Sequence, residues 1–163
     1  MGRPKQYFRA GAGAMIINPQ GLVLALERAD VAGSWQMPQG GLDAAEEPLA
    51  AAYREVAEET GIGAADLTLL DSYPEPLVYE LPLRMRTEKT GRGQVQYWFL
   101  FRFNGPETVI DALGGGEFRA WRWTSLQQLV QITPDFRVPV YQKLGQRFAP
   151  HLASPQAGND RDK

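Results

Sequence analysis

The chain has 163 residues, 44% of them hydrophobic and 22% charged, at a net charge of −2. That is the size and balance of one globular domain, able to bury roughly 70% of its unfolded surface. Zero cysteines exclude disulfides, iron–sulfur clusters, thiolate zinc sites and thiol nucleophiles. The only histidine, His151, reads as a surface residue beside a polar end stretch, which argues against a Ser-His-Asp hydrolase and leaves carboxylates to carry any catalysis.

The start, MGRPKQYFRAG, has no apolar signal core, and Gln6 stands where a myristoylation signal needs Ser or Thr. The longest apolar runs, AMII, LVLAL and WFLF, are far too short to span a bilayer. A cytoplasmic protein without a membrane partner is expected. GAGAMIIN and LVLALER, separated by PQG, predict a β-hairpin of Gly11–Asn18 and Leu22–Arg28. A loop rich in Gly, Trp and Pro follows, VAGSWQMPQGGLDAAEE. Pro48 is placed to open a helix and Gly61 to close it.

Within that helix Leu49, Tyr53, Val56 and Thr60 form a packing stripe. Further strands are expected at Leu67–Tyr73, Val78–Leu83, Gln94–Phe103 and Glu117–Thr124, the last two rich in aromatic residues. Helices near Leu126–Val130 and Val138–Phe148 complete the pattern. Between them Arg84–Gly93, RMRTEKTGRG, reads as a mobile basic loop. Strands and helices that do not strictly alternate predict an α/β sandwich with a mixed sheet. One domain over residues 1–152 is expected, with a disordered tail over residues 153–163.

The helix poses a problem at its C-terminal end. In REVAEETG the acids Glu55, Glu58 and Glu59 lie on one face within a turn, where like charges repel and also oppose the helix dipole. Asp43 to Glu59 carries six acids against Arg54 alone, so the rest of the chain has a small basic excess. A cation among these carboxylates would relieve the repulsion. Oxygen ligands without His or Cys select a hard ion, Mg²⁺, Mn²⁺ or Ca²⁺; Mg²⁺ is expected where phosphates complete the shell, with Mn²⁺ as a substitute and no cofactor beyond the metal.

From Gly40 the spacing runs five residues to Glu46, seven to Arg54, then Glu55, Val56, Ala57, Glu58, Glu59, Thr60, Gly61, Ile62. This resembles, position by position, the box of Nudix hydrolases, G-x5-E-x7-R-E-U-x-E-E-x-G-U with U a bulky aliphatic residue. The resemblance implies an α/β/α sandwich and a metal-dependent pyrophosphohydrolase. Glu55, Glu58 and Glu59 would hold metal together with Gly40, whose missing side chain lets the backbone approach a ligand closely. Arg54 would be oriented by Glu46 and would itself fix a carboxylate. Glu55 or Glu58 would be the general base, with Glu55 the first choice.

Flanking stretches narrow the branch. WQMPQGG, GQVQYWFLF, EFRAWRW and FRVPVY resemble the RNA 5′-pyrophosphohydrolases and asymmetric dinucleoside tetraphosphate hydrolases of that family. The match implies Glu117 as a further metal ligand or alternative base. It also implies Arg9, Phe136 and Arg137 as contacts to a terminal nucleotide. Tyr79 is a similar candidate, and Ser34 and Gln39 are candidate phosphate donors. The expected substrate is a 5′-triphosphate RNA or a dinucleoside polyphosphate such as diadenosine tetraphosphate. A catalytically silent nucleotide or RNA sensor on the same fold is the alternative from another class. Ala45 departs from the branch, whose members often have Gly there.

Overall fold

The structure, a computed structural model, describes residues 7–154. Residues 1–6 of the start read for targeting signals, and most of the expected tail, lie outside the described residues. Ala153, the first residue of that expected tail, donates its N–H to the Gly21 carbonyl at 3.0 Å.

In chain order the elements are β1 (Phe8–Ile17), β2 (Val23–Arg28), β3 (Trp35–Gln36), β4 (Gln39–Gly41), α1 (Pro48–Thr60), β5 (Leu67–Ser72) and β6 (Leu77–Glu80). They continue with β7 (Gly93–Phe103), β8 (Phe118–Thr124), α2 (Leu126–Ile132) and α3 (Val138–Phe148). One mixed sheet runs β3-β2-β1-β7-β5, with β4 beside β1, β6 beside β7 and β8 beside β2. Helix α1 packs on one face, and α2 and α3 lie on the other. The architecture is the expected α/β/α sandwich.

Period-2 alternation along β1 divides its side chains between the two layers. Ala12, Ala14 and Ile16 point toward α1 with Val56 and Phe101, whereas Met15 and Ile17 point toward α3 with Trp98, Leu100 and Tyr141. Each large side chain so buried contributes roughly 1.5–3 kcal/mol relative to exposure. Trp98 and Tyr141 meet edge to face at 6.0 Å, and the buried Tyr141 hydroxyl accepts from the Met37 N–H at 2.9 Å. This bond ties the loop ahead of α1 to α3.

The expected hairpin is corrected. β1 and β2 pair only at Ile17↔Val23, closed by Asn18 Oδ1, which accepts from the N–H groups of Gln20 and Leu22. Beyond that point β1 turns to β7, in parallel from Phe8↔Gly93 to Ile17↔Arg102, while β2 pairs with β8 and β3. A tight turn fixes only the nearest pair. Strands buried on both faces take whichever partners complete a closed core, and those partners are distant in sequence.

Arg84–Gly93, expected as a mobile basic loop, carries local structure of its own. A 3₁₀ turn covers Leu83–Met85. Thr87 and Thr90 then exchange hydrogen bonds, Thr87 N–H to Thr90 Oγ1 at 2.8 Å and Thr90 N–H to Thr87 Oγ1 at 3.1 Å. Reciprocal side-chain to backbone bonds of this kind stand in for secondary structure.

Candidate active site

Helix α1 begins with Pro48 at its first turn and ends at Gly61, whose φ of 75° provides the left-handed cap. Its buried face is broader than the predicted stripe. Ala51, Ala52, Val56 and Thr60 are buried, Leu49 and Tyr53 are partly so, and the small alanines let the helix lie close to the sheet. That closeness also buries Glu59, 5% exposed, at the edge of the packed face.

The loop before α1 places Gly40 directly beneath Glu55. β4 pairs with β1 through Gly13↔Gln39, Ala12↔Gly40 and Gly11↔Gly41. A Cβ on Gly40 would overlap the Glu55 carboxylate. A larger residue there would force the Glu55 carboxylate out of this position, where Arg54 Nη1 holds it at 2.8 Å.

Arg54 organises the acids. Its Nε and Nη2 donate to the two oxygens of Glu46 at 2.9 and 2.8 Å, and Nη2 also donates to the Gly41 carbonyl at 2.8 Å. Nη1 donates to Glu55 Oε1 at 2.8 Å and reaches both Glu58 oxygens at 3.4 Å. The fork geometry is what a guanidinium supplies and an ammonium does not. Hydrogen bonding from Arg54, helped by the Asp43 N–H, holds the Glu46 carboxyl down at about 2. The Arg54 guanidinium is in turn held in its charged form, chiefly by Glu46.

The acids differ in environment. Burial pushes Glu55 above the ordinary carboxylate range, and Arg54 partly offsets this. Burial drives Glu59 well above that range, reinforced by the charges of Glu117 and Glu55, although the Gln39 N–H donates to Glu59 Oε2 at 3.1 Å. Glu58 has a 59% exposed side chain. Glu117 is exposed just before β8, and its carbonyl accepts from the Ala29 N–H at 2.9 Å.

The acids turn to these protein donors, and among the described residues no three are gathered as metal ligands. The donor set nevertheless fits a hard cation. It is all oxygen, the neighbouring acids add to the raised proton affinity of Glu55 and Glu59, and Gly40 leaves room for the Glu55 carboxylate against the loop.

A cavity of about 980 Å³ opens beside this cluster. Arg9, Ser34, Gln39, Gly40, Tyr79, Glu117, Phe136 and Arg137 all line it, so the structure brings every substrate-side candidate to one place. Arg137 is 8% exposed and lies over the rings of Tyr79 and Phe136, at 5.3 and 5.1 Å. Phe136 both packs on the core next to α3 and faces Tyr79, with centroids 5.2 Å apart. A larger groove, about 1150 Å³ between α2 and α3, is lined by Gln127, Gln131, Gln142 and Gln146 and has no charged side chain.

Three residues escaped the sequence reading. Gln96 and Gln94, 1% and 3% exposed, carry a buried amide network. Gln96 Nε2 donates to Gln39 Oε1 and to Gln94 Oε1, Trp98 Nε1 donates to Gln96 Oε1 at 3.2 Å, and Arg137 Nη1 donates to Gln39 Oε1 at 2.8 Å. Gln39 therefore joins Glu59 through its backbone to Arg137 through its side chain. Two glutamines spaced by two in an apolar strand were the available signal. The third, Arg28, lines the cavity and chelates Asp30 at 2.8 and 3.0 Å. It had no sequence signal beyond ending an apolar run.

The NUDIX domain model matches residues 7–144. The chain is 43% identical to an RNA pyrophosphohydrolase of Rhodospirillum rubrum over 91% of both chains. It is 36% identical to the Arabidopsis thaliana protein "Nudix hydrolase 26, chloroplastic", covering 93% of this chain and 74% of that one. In architecture it is similar to a C. elegans Ap4A hydrolase, with a TM-score of 0.68 at 23% identity over 87% of this chain and 98% of that one. Among the described residues no helix is long and apolar enough to cross a membrane. The box spacing, the acid-bearing α1 packed on a mixed sheet and these likenesses together show that the chain belongs to the Nudix family, as a hydrolase of phosphoanhydrides.

Proposed function

We propose that the protein removes pyrophosphate from the 5′-triphosphate end of RNA, using Mg²⁺ or Mn²⁺ held by Glu55, Glu58, Glu59 and Glu117 beside Gly40. Arg137 carries this reading. Its guanidinium is 8% exposed, its Nε has no hydrogen-bond partner, and no carboxylate pairs with it among the described residues. Burying a cation without an anion costs several kcal/mol, so a phosphate group is the natural complement. The adjoining rings of Tyr79 and Phe136 offer a base surface worth roughly 1–3 kcal/mol. The relative at 43% identity, named RNA pyrophosphohydrolase, supports the same substrate.

In this reading Arg137 and Arg9 hold the phosphates, with Ser34 and Gln39 as hydrogen-bond donors. Tyr79 and Phe136 orient the terminal base. A divalent ion held by these carboxylates would supply neutralisation of the phosphate charge and a lowered pKa for the attacking water. Glu55 takes the water proton as the hydroxyl adds to phosphorus, and the α–β anhydride breaks with pyrophosphate leaving on the bonding pair. Arg54, fixed by Glu46 and the Gly41 carbonyl, keeps the Glu55 carboxylate in one rotamer.

The test compares 5′-triphosphorylated oligoribonucleotide with diadenosine tetraphosphate at matched concentrations and saturating Mg²⁺. RNA is expected to be favoured at least tenfold in kcat/KM, and a ratio near one, or reversed, sinks the assignment. Glu55→Gln is expected to lose at least about 10²-fold in kcat, the lower end of general-base contributions. Retention of turnover by that variant would move the base to another acid.

A further inference from the structure

We infer that the turn spanning Leu83 to Arg92 is a track for the RNA chain beyond its first nucleotide, gripping backbone phosphates through Arg84 and Lys89. The inference rests on the proposed RNA reading and extends it from the terminal phosphates to the polymer.

The basic residues of this turn divide into two groups. Arg86 and Arg92 are spent on the fold. Both reach Glu80, at 3.4 and 3.0 Å, and Arg86 Nε also donates to the Leu81 carbonyl at 2.8 Å. Arg84 and Lys89 are exposed, line the catalytic cavity and have no acidic partner among the described residues. Neither is needed to hold the turn together. The Thr87–Thr90 bonds already do that, with the Gly91 N–H closing onto the Thr87 carbonyl at 2.9 Å.

The turn is also fastened to the site. Arg9 Nε donates to the Thr90 carbonyl at 2.9 Å, and the Arg92 N–H donates to the Tyr7 carbonyl at 2.9 Å. On β1, Arg9 stands three positions from Ala12, the partner of Gly40, which at about 3.3 Å per residue is roughly 10 Å along the sheet. The surface thus runs from the carboxylates, past Arg9, to two unpaired cations. Beside them Leu83 and Met85 are 72% and 42% exposed, apolar surface against which unstacked bases can lie. Cations on a hydrogen-bonded turn beside exposed apolar groups suit a single-stranded polyanion, bound without sequence preference.

The experiment measures kcat/KM for 5′-triphosphorylated di- and octaribonucleotides, over a series of salt concentrations, with wild-type protein and with Arg84→Ala/Lys89→Ala. The wild type is expected to prefer the octanucleotide at least fivefold, and the double variant to bring that ratio toward one. The slope of log kcat/KM against log salt for the octanucleotide should shrink by about 1.4, at roughly 0.7 per single-strand phosphate. Lys89→Glu should lower the length ratio further than Lys89→Ala. A wild type that cleaves both RNAs with no length preference, or a double variant with the wild-type ratio and slope, overturns the track and leaves the RNA reading standing. A wild type inactive on both RNAs but active on diadenosine tetraphosphate overturns both.

Discussion

Glu59 shows how much one burial changes. Its folded proton affinity is raised, so the folded state binds more protons than the unfolded state. The apo protein therefore carries no penalty below the ordinary value of 4.5 and loses stability as pH rises from there toward the raised value. Glu46 acts in the opposite sense. Its carboxyl is held down at about 2, so the stability it confers is present above 4.5 and is lost as pH falls between those values. Metal-free protein should accordingly be most stable near pH 4.5, with Tm falling toward neutrality. Glu59→Gln should flatten the fall on the alkaline side, and Mg²⁺ should reverse it for the wild type alone; thermal melts across pH with and without Mg²⁺ decide this. Ala45 offers a second residue-scale prediction. Its φ of 60° is left-handed, which costs a residue with a Cβ roughly 1–2 kcal/mol. Ala45→Gly removes that strain while adding about 0.5–1 kcal/mol of unfolded-chain entropy. The net expectation is a gain of up to about 1.5 kcal/mol, read as a rise in Tm of up to roughly 3–6 °C.

At the scale of the element, α1 was legible because its signals are local. Pro48, Gly61 and the acid spacing lie within one stretch and depend only on helical periodicity. The short strands β3 and β4 inside the Gly-, Trp- and Pro-rich loop were not. Gln39–Gly41 is a strand because β1 lies beside it, and that partner is distant in sequence. β7 hid its role for the same reason. Gln94 and Gln96 look like ordinary polar positions until Gln39 and Arg137 arrive from other segments. Gln96→Leu should leave Trp98 Nε1 without its acceptor and strip Gln39 of one of its two donors. The expected loss is about 1–3 kcal/mol in urea unfolding. A KM increase larger than the decrease in kcat should accompany it, because Arg137 loses its support while Glu55 does not. Equal changes in the two constants would count against the relay.

On the scale of the whole molecule, the sheet brings together residues that the chain keeps far apart. Parallel pairing of β1 with β7 sets Arg9 beside Gln94, and β6 on the far side of β7 brings Tyr79 to Phe136 and Arg137. Residue order alone carried the reaction class, since the box acids, Arg54 and the glycines sit at fixed short spacings whose consequences follow from one helix and its flanking loop. It also determined the sandwich, since hydrophobic period is a local property. Contacts across space set which acid is buried, that β1 and β2 part after one pair, and that the basic stretch of Arg84–Gly93 is a fastened turn at the mouth of the cavity. Proton affinity, strand partnership and loop anchoring all depend on what lies across space, and periodicity carries no record of that.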